Sequence, residues 1–206
     1  MAQITSGIRS ILSHPAVYDG FQALLGANRA RRRIVDEFVR PVPESCVLDV
    51  GCGTAVVLDY LPADIGYVGI DLSIDYIDAA RAKYGERGTF LVGDVAQLPV
   101  DSIPPADRAI AIGLLHHLED AEVRSLLAAI RGRLSPGGHL VTIDPCFDPA
   151  QSGFARFMVS RDRGQNVRSI QAYRALAKSA FDRVDSHVLH DLSRIPYSHA
   201  ILECHA

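Results

Sequence analysis

The sequence predicts an α/β fold, in which a doubly wound and mostly parallel β-sheet carries helices on both faces. Short apolar runs alternate with amphipathic stretches from about residue 46 onwards. The runs are apolar throughout, which is typical of strands that are buried on both faces. A Gly-x-Gly turn directly follows the first run, as in parallel sheets whose strand ends bind a ligand. These observations together predict the fold class.

Five apolar runs are predicted to be the parallel strands, and each ends at or just before a glycine or an aspartate. The runs are Cys46–Val50, Tyr67–Asp71, Thr89–Val92, Arg108–Ile112 and His139–Ile143. The stretches between them carry apolar residues at the spacing of one helix face. Ser73 and Asp120 are expected to cap two of these helices, since short polar side chains accept hydrogen bonds from the first backbone N–H groups.

The part of the chain after Asp144 is predicted to contain a substrate loop and an antiparallel hairpin. Residues 145–168 are rich in proline, glycine, serine and charge, and they are too many for an ordinary connection. Ser169 is expected to cap the helix that follows. Two strand candidates, Arg183–Leu189 and Tyr197–Cys204, can then pair as a hairpin at the edge of the sheet.

Length and composition favour a single domain over residues 1–206, with a helical cap at 1–40 (two helices over 8–40), a ligand-binding core at 45–145 and the loop at 145–168. The net charge of −3 disfavours nucleic acid and anionic membranes as partners, because both favour proteins with a basic excess. Without a membrane-spanning run or a secretory signal, a cytoplasmic protein is expected. The four cysteines lack metal-binding spacing, so free thiols and no metal site are expected. A homodimer is left open.

The most informative stretch is the glycine-rich turn after the first strand, VLDVGCGTA at 47–55. Gly51 and Gly53 let the backbone approach a ligand closely, and Cys52 lies between them. Asp49 places a carboxylate where the pyrophosphate of a dinucleotide would lie, and Val56 stands where the dinucleotide fingerprint has a third small residue. A carboxylate at this position instead suits a ligand that carries an ammonium group.

Two further acids lie where the next strands end. Asp71 is 20 residues after Gly51 (71 − 51), where a carboxylate binds ribose hydroxyls in mononucleotide-binding folds. Asp94 follows the third strand and could accept a hydrogen bond from an adenine amino group, with Leu72 and Val95 as apolar walls. One aspartate after a strand is more often a turn former. Three at successive strand ends predict a nucleoside site.

These motifs resemble those of the class I S-adenosylmethionine-dependent methyltransferases. The resemblance implies a Rossmann-like, seven-stranded sheet of order 3-2-1-4-5-7-6 with strand 7 antiparallel. It also implies S-adenosylmethionine as cofactor, contacted by Gly51 and its neighbours, Asp71, Asp94 and Gly113. Ala55 departs from the pattern, because many members have a third glycine there. The matching stretches are VLDVGCGTA (47–55), YVGIDLS (67–73), FLVGDVAQLP (90–99), DRAIAIGLLHHLED (107–120) and LSPGGHLVTID (134–144).

Residues 162–168 and 194–199 resemble those of small-molecule methyltransferases from bacterial carbohydrate or specialised-metabolite pathways, which implies transfer to a hydroxyl or amine of a metabolite or sugar. Such an acceptor needs a base to remove its proton. His117 is the first candidate and His116 the second, because both follow the fourth strand and histidine titrates near neutrality. The alternative is that one of the pair caps the next helix or binds loop backbone.

Several residues could bind the acceptor. Arg161, Arg163 and Arg168 would suit an anionic acceptor, since guanidinium groups bind phosphate and carboxylate with two hydrogen bonds. Equally, residues 161–164 could form a salt-bridged turn. The acceptor pocket could further be lined by Tyr18, Tyr197 and His199.

Two other functions stay open from the sequence: a nicotinamide-dependent oxidoreductase, and a cofactor-binding protein that has lost turnover and partners an active homologue. Asp49 and Val56 argue against the first, and the complete set of cofactor acids argues against the second. A nucleic-acid methyltransferase is disfavoured because Gly113-Leu-Leu-His116 stands where a base-flipping motif would be.

Overall fold

The computed structural model describes residues 27–162 and 164–206. Within them, eight strands pair into a sheet: β1 Cys46–Val50, β2 Gly66–Asp71, β3 Thr89–Val92, β4 Ala106–Ile112, β5 Leu134–Phe147, β6 Arg168–Ser169, β7 Arg183–Leu189 and β8 His199–His205. The α-helices are α1 Ala27–Ile34, α2 Ile74–Tyr84, α3 Asp120–Arg131, α4 Gly153–Ser160 and α5 Ile170–Ala177. A π-helical turn, Val35–Val39, continues α1.

The main sheet has the order β3-β2-β1-β4-β5-β8-β7. Strands β1 to β5 are parallel, and β8 runs antiparallel to both β5 and β7. The two-residue strand β6 pairs with the end of β5 and was not predicted. Apart from this extra strand, the predicted order 3-2-1-4-5-7-6 with its antiparallel strand is confirmed, as is the terminal hairpin.

The sheet is covered on both faces, because successive residues of its central strands point to opposite sides. Leu48 of β1 belongs to one core cluster together with the buried faces of α3 and α5. Its neighbour Val47 belongs to the other cluster, together with residues of α1 and α2. The uniformly apolar runs therefore become strands with two buried faces, as predicted.

Two of the three predicted helix caps are confirmed. The hydroxyl oxygens of Ser73 and Ser169 accept backbone N–H groups at the starts of α2 and α5. The prediction for Asp120 is wrong, since α3 begins at Asp120 and Glu119 is its N-cap. Glu119 and Glu122 form a reciprocal capping box, which satisfies two backbone N–H groups and leaves the Asp120 carboxylate available for another contact.

Three segments differ from their predicted form. The glycine turn after β1 leads into a 3₁₀ helix, Val56–Tyr60, and not an α-helix. Strand β5 runs to Phe147 because β8 pairs with it as far as Pro145 and β6 pairs with its last two residues. Residues 145–168 therefore contain a strand end and a whole helix, α4, where one long loop was expected.

None of the helices in the described ranges is long and apolar enough to cross a membrane. All four cysteines carry free thiols, as predicted. Of the two helices predicted before the sheet, the described residues include only α1 and the π-turn that continues it.

Candidate active site

The glycine turn lies against the loop that follows β4. Gly51 and Gly53 adopt positive φ angles of 73° and 55°, and the N–H groups of Gly51 and Cys52 donate to Ile70 O at 2.8 and 3.1 Å. A Cβ atom on Gly51 would lie 3.2 Å from the side chain of Leu114. The turn therefore needs glycine both for its backbone angle and for its close approach to the β4 loop.

Ala55 ends this turn in the left-handed conformation, with φ 57° and ψ 29°. A residue with a Cβ atom pays roughly 1–2 kcal/mol to adopt that conformation, and glycine does not. The departure noted in the sequence thus falls at a position whose backbone favours glycine, and Ala55 occupies it with a fully buried methyl group.

Asp71 connects the first two loops of the site. Its Oδ2 accepts the N–H of Gly53 at 2.9 Å, and its Oδ1 accepts the N–H of Ser73 at 2.8 Å. An ionised carboxylate oxygen can accept a further hydrogen bond. Asp71 is half-buried at the end of β2, so it retains the capacity to accept two ribose hydroxyls.

Asp49 is buried, with only 3% of its surface exposed. The hydroxyl of Tyr67 donates to its Oδ2 at 2.6 Å. Burial raises the pKa of Asp49 to about 7, although the hydrogen bond from Tyr67 lowers it, and the charge of Asp71 raises it further. A cation next to this carboxylate would offset the cost of its burial.

The residues predicted to hold an adenine ring lie in the loops that follow β2 and β3. Asp94 forms a turn, because its carboxylate accepts the N–H of Ala96 at 2.9 Å and the amide of Gln97 at 3.2 Å. Leu72 is 49% exposed and offers open apolar surface. Val95 is buried in the core at 1% exposure, so its side chain offers almost none. The turn-forming role of Asp94 is thus present whether or not it also binds a base.

Gly113 turns the chain at the end of β4. Its φ is 66°, and its N–H donates to Ile143 O of β5 at 2.7 Å. The following residues, Leu115–His117, form a 3₁₀ turn that places His116 inwards. This turn sits opposite the glycine turn of β1, through the contact between Leu114 and Gly51.

His116 lies at the centre of a buried polar network. Its ring Nδ1 is 2.8 Å from Asp144 Oδ1, which also accepts the His116 backbone N–H at 3.1 Å, and its Nε2 is 3.1 Å from Asp162 Oδ1. Burial alone would lower the pKa of His116, but the hydrogen bonds to the two carboxylates outweigh burial and raise it to about 9. Both ring nitrogens therefore carry protons at neutral pH. The imidazole accepts no proton while Asp162 holds Nε2.

The chain around Asp162 packs directly onto His116. The N–H of Gly164 donates to Asp162 Oδ1 at 2.9 Å, and the N–H of Asn166 donates to His116 O at 3.0 Å. A Cβ atom on Gly164 would lie 1.9 Å from His116 Cδ2, so only glycine fits there. The Tyr197 hydroxyl donates to Asp162 Oδ2. These contacts hold the pKa of Asp162 well below its usual range, against the effect of its burial.

His117 is half-buried, and its ring centroid lies 4.0 Å from that of His116. Its backbone N–H donates to Leu114 O at 3.1 Å, within the 3₁₀ turn. His116, the other candidate base, has a carboxylate on Nδ1, the arrangement that orients a catalytic imidazole.

The guanidinium group of Arg168 fastens this same turn. It donates to the carbonyl oxygens of Leu115, Leu118 and Asn166 at 2.8–3.0 Å and to Asp120 Oδ1 at 2.7 and 3.0 Å. The Arg168 side chain is only 10% exposed. The predicted role of Arg168 in binding an anionic acceptor conflicts with this geometry, because its donors are already satisfied within the protein.

Replacement of Arg168 by lysine is expected to destabilise the protein by roughly 2 kcal/mol, because an ammonium group cannot reach three carbonyls and a carboxylate at once. Thermal unfolding followed by circular dichroism measures the change. Arg124→Lys, on the exposed face of α3, is the matched control. Equal melting temperatures for the two variants would show that Arg168 does not hold the turn.

The other predicted acceptor contacts are placed as follows. Arg161 is exposed and lies over the ring of Phe157 at 5.4 Å. Tyr197 and His199 are half-buried beside the network, with ring centroids 5.2 Å apart. Burial lowers the pKa of His199 to about 4, so its imidazole is neutral. Two of the sequence-predicted residues, Tyr18 and Arg163, lie outside the described residues.

Two members of the buried network, Asp144 and Asp162, were not among the site residues predicted from the sequence. Asp144 is 2% exposed, and its Oδ2 is buried without a hydrogen-bond partner among the described residues, as is Nδ1 of His199. A signal for Asp144 existed, since it directly follows the predicted run His139–Ile143, whose neighbour in the sheet is the strand that leads to His116. For Asp162 the sequence offered no signal other than its position in the predicted substrate loop.

Comparison with known proteins gives a consistent result. Residues 47–138 match the family model of a methyltransferase domain. Acetylserotonin O-methyltransferase of the mouse, Mus musculus, is 30% identical over 162 residues, which cover 69% of this chain and 40% of the relative. The chain thus spans less than half the length of that curated relative.

Solved structures share the fold. The pyocyanin biosynthetic protein PhzM superposes with a TM-score of 0.74 at 17% identity, over 98% of this chain and 63% of PhzM. Human N-acetylserotonin methyltransferase, in complex with S-adenosylmethionine, superposes with a TM-score of 0.67 at 21% identity, over 94% of this chain and 55% of the human protein.

Proposed function

We propose that the chain is a class I S-adenosylmethionine-dependent methyltransferase, since residues 47–138 match a methyltransferase domain and a known O-methyltransferase is 30% identical, and that it transfers the methyl group of S-adenosylmethionine to a hydroxyl oxygen of a small molecule. The observation that carries the proposal is the position of His116. Asp144 orients its imidazole, and its turn faces the glycine turn of β1. An oriented imidazole next to a cofactor turn is the machinery that deprotonates a hydroxyl.

The cofactor would be held by residues that follow three neighbouring strands. Asp71 would accept the ribose hydroxyls, because each of its oxygens already aligns one loop N–H and has capacity for another donor. Asp49 would lie near the ammonium group, which would offset its buried charge. Leu72, with Asp94 at the turn, would border the adenine. Gly51, Gly53 and Gly113 would let the backbone approach.

When bound, S-adenosylmethionine supplies a methyl group on a positively charged sulfur, which leaves as a neutral thioether when the acceptor oxygen attacks the methyl carbon. His116 would receive the hydroxyl proton at Nε2, while its Nδ1–H continues to donate a hydrogen bond to the Asp144 carboxylate. The new imidazolium charge would be stabilised by the Asp144 carboxylate. His117 is the second candidate for this role.

The site favours a neutral acceptor over an anionic one. Asp144 and Asp162 flank His116, so the described network carries one more negative charge than positive. Arg168 is committed to backbone carbonyls and Asp120, and Arg161 points to Phe157. An anionic group beside this network would therefore meet its net negative charge, with little compensation from the described residues.

Isothermal titration with S-adenosylmethionine, followed by a transfer assay with labelled methyl groups, tests the proposal. Suitable acceptors are N-acetylserotonin and phenol as neutral hydroxyls, aniline as an amine and para-hydroxybenzoate as an anion. Transfer to a neutral hydroxyl is expected. Tight cofactor binding with transfer only to aniline would contradict the oxygen acceptor, and no cofactor binding would contradict the whole proposal.

Asp71→Ala is expected to weaken S-adenosylmethionine binding about tenfold or more, since the loss of hydrogen bonds to a charged group costs about 1.5–3 kcal/mol. Titration calorimetry measures the affinity. Asp71→Asn, which keeps one carbonyl oxygen for the loop N–H groups, separates loss of the diol contacts from loss of the loops. Unchanged affinity in Asp71→Ala would remove Asp71 from the cofactor site.

A further inference from the structure

We propose that Asp162 occupies the place of the acceptor hydroxyl at Nε2 of His116 and that Tyr197 holds it there, so that Asp162 determines which acceptors reach the imidazole. This inference rests on the proposed function, because it assigns Nε2 as the atom that meets the acceptor. It goes beyond that function by naming a residue of this chain as the competitor of the substrate.

The first step is that, within the part of the chain that the structure describes, one side of the His116 ring can face a ligand and the other is closed. Nδ1 is turned towards Asp144, which is 2% exposed. Nε2 is turned towards Asp162, whose side chain is 22% exposed. The exposed route to the imidazole therefore passes the position of Asp162, and the route past Asp144 is closed.

The second step is that Asp162 is held in this position from several sides. Its Oδ1 accepts the Gly164 N–H at 2.9 Å and lies 3.1 Å from Nε2 of His116, and its Oδ2 accepts the Tyr197 hydroxyl. Burial raises the pKa of Tyr197, so its hydroxyl keeps its proton and remains a donor. A ligand at Nε2 has to break the contact between Asp162 and His116 and compete with the hold of Tyr197.

The third step concerns which ligands can compete. The groups that face His116 are Asp144 from β5, Asp162 from the segment after α4, His117 from its own turn, and Tyr197 and His199 from the β7–β8 side. While Asp144 remains charged, a second anion at Nε2 only replaces one carboxylate with another. A neutral hydroxyl that displaces Asp162 moves the negative charge of this carboxylate away from the imidazole ring. The pKa of Nε2 then falls, so that the nitrogen can lose its proton and act as a base. Asp162 would thus select neutral hydroxyl acceptors.

Two variants and one control test this inference in the free protein. Asp162→Asn removes the charge at Nε2, and Tyr197→Phe removes the hydroxyl that holds Asp162 without touching His116. Asp148→Asn is the matched control, because this carboxylate lies near His190 and caps Ala150. Circular dichroism verifies that each variant is folded, and Tyr197→Phe keeps the test decisive where Asp162→Asn does not fold.

The first measurement is the titration of His116 by long-range ¹H–¹⁵N correlation. The wild-type midpoint is expected near 9, and Asp162→Asn is expected to lower it by about one pH unit or more, with a smaller fall in Tyr197→Phe. The second is modification of His116 by diethyl pyrocarbonate, which attacks a neutral imidazole. The rate should rise about tenfold for each pH unit by which the midpoint falls, with wild-type values in Asp148→Asn.

The third measurement is the affinity for phenol of the protein saturated with S-adenosylhomocysteine. Tyr197→Phe is expected to bind phenol about fivefold more tightly than the wild type, the factor that corresponds to the loss of one hydrogen bond. Weaker phenol binding in Tyr197→Phe would contradict the competition between Asp162 and the acceptor, because it would mean that Asp162 and Tyr197 help to bind the acceptor. An unchanged His116 midpoint in both variants would overturn the contact itself. Neither result depends on methyl transfer, so the inference can fail while the proposed function stands.

Discussion

His116→Gln is expected to lower kcat by about 10²–10⁴-fold at pH 8, the range that a positioned general base contributes. Glutamine can donate a hydrogen bond to Asp144, but it cannot accept the acceptor's proton. The affinity for S-adenosylmethionine should stay nearly the same, since the polar contacts of His116 are with Asp144, Asp162 and Asn166, none of which is assigned to the cofactor. Steady-state kinetics with labelled S-adenosylmethionine and calorimetry measure the two quantities.

His117→Gln is the matched control for this prediction. It changes the neighbouring side chain of the same 3₁₀ turn and leaves the contact with Asp144 intact. A smaller loss of kcat is expected than in His116→Gln. The reverse order would transfer the role of base to His117, and an equal loss would mean that the turn acts through its shape alone.

The pH dependence of kcat gives the same assignment a second test. A base acts only when deprotonated, so activity should rise with pH through the pKa of His116 in the complex with cofactor and acceptor. Asp144 stabilises the imidazolium form. Asp144→Asn is therefore expected to move the rising limb to lower pH while it reduces the maximal rate, whereas a purely structural role would leave the limb in place.

Asp49→Asn is expected to weaken S-adenosylmethionine binding and at the same time to stabilise the free protein at alkaline pH. The pKa of Asp49 rises on folding from 3.8 to about 7. A difference of one pH unit corresponds to about 1.4 kcal/mol, so the charged form costs the folded protein on the order of 4 kcal/mol. The ammonium group of the cofactor would offset this cost on binding. Asparagine at position 49 is neutral and lacks this attraction to the ammonium group.

The sign follows from the direction of the shift. A pKa that is higher in the folded state contributes stability below pH 3.8, and the contribution is lost as pH rises through about 7. The gain in melting temperature of Asp49→Asn over the wild type should therefore be small at pH 4 and largest above pH 7. Calorimetric unfolding at several pH values measures it. A variant that is less stable than the wild type at pH 8.5 would contradict the buried charge.

Methylthioadenosine, which lacks the amino acid part of the cofactor, is the control ligand for Asp49. Its affinity is expected to be nearly the same in the wild type and in Asp49→Asn. The affinity of the wild type for S-adenosylmethionine should fall as pH drops below about 7, because Asp49 then takes up a proton. Equal losses for both ligands would place Asp49 in a structural role.

Much of the fold could be predicted from the sequence, because its signals are local. The five apolar runs and the terminal hairpin were placed within a few residues of their observed bounds, and Gly51 and Gly53 adopt the positive φ angles that their turn requires. The extent of β5 was missed because its extra length depends on pairing with β4, β8 and β6. The cap of α3 was misplaced by one residue, because two glutamates satisfied the helix start together.

Some features of the candidate site could likewise be predicted from the sequence, and others could not. The order of the strands brings the acids Asp49, Asp71 and Asp94 and the His116–His117 pair to one edge of the sheet, and the sequence motifs predicted this. The sequence did not predict which histidine is oriented, or that Arg168 would be used to fasten the turn. Arg168 and Leu115 lie 53 residues apart, and His116 and Asp144 lie 28 apart.

By itself, then, the sequence determined the fold class and the positions of the glycine turn and the acids, because hydrophobic periodicity and turn chemistry act over a few neighbouring residues. The strand order followed from the resemblance of its motifs to a known family. Only the tertiary structure decided the charge states and the pairings. Asp49 has a raised pKa because it is buried against Tyr67. His116 holds its proton because Asp144 and Asp162 arrive from distant segments of the chain. Desolvation and long-range contacts set these properties, and neither is encoded in any short stretch of sequence.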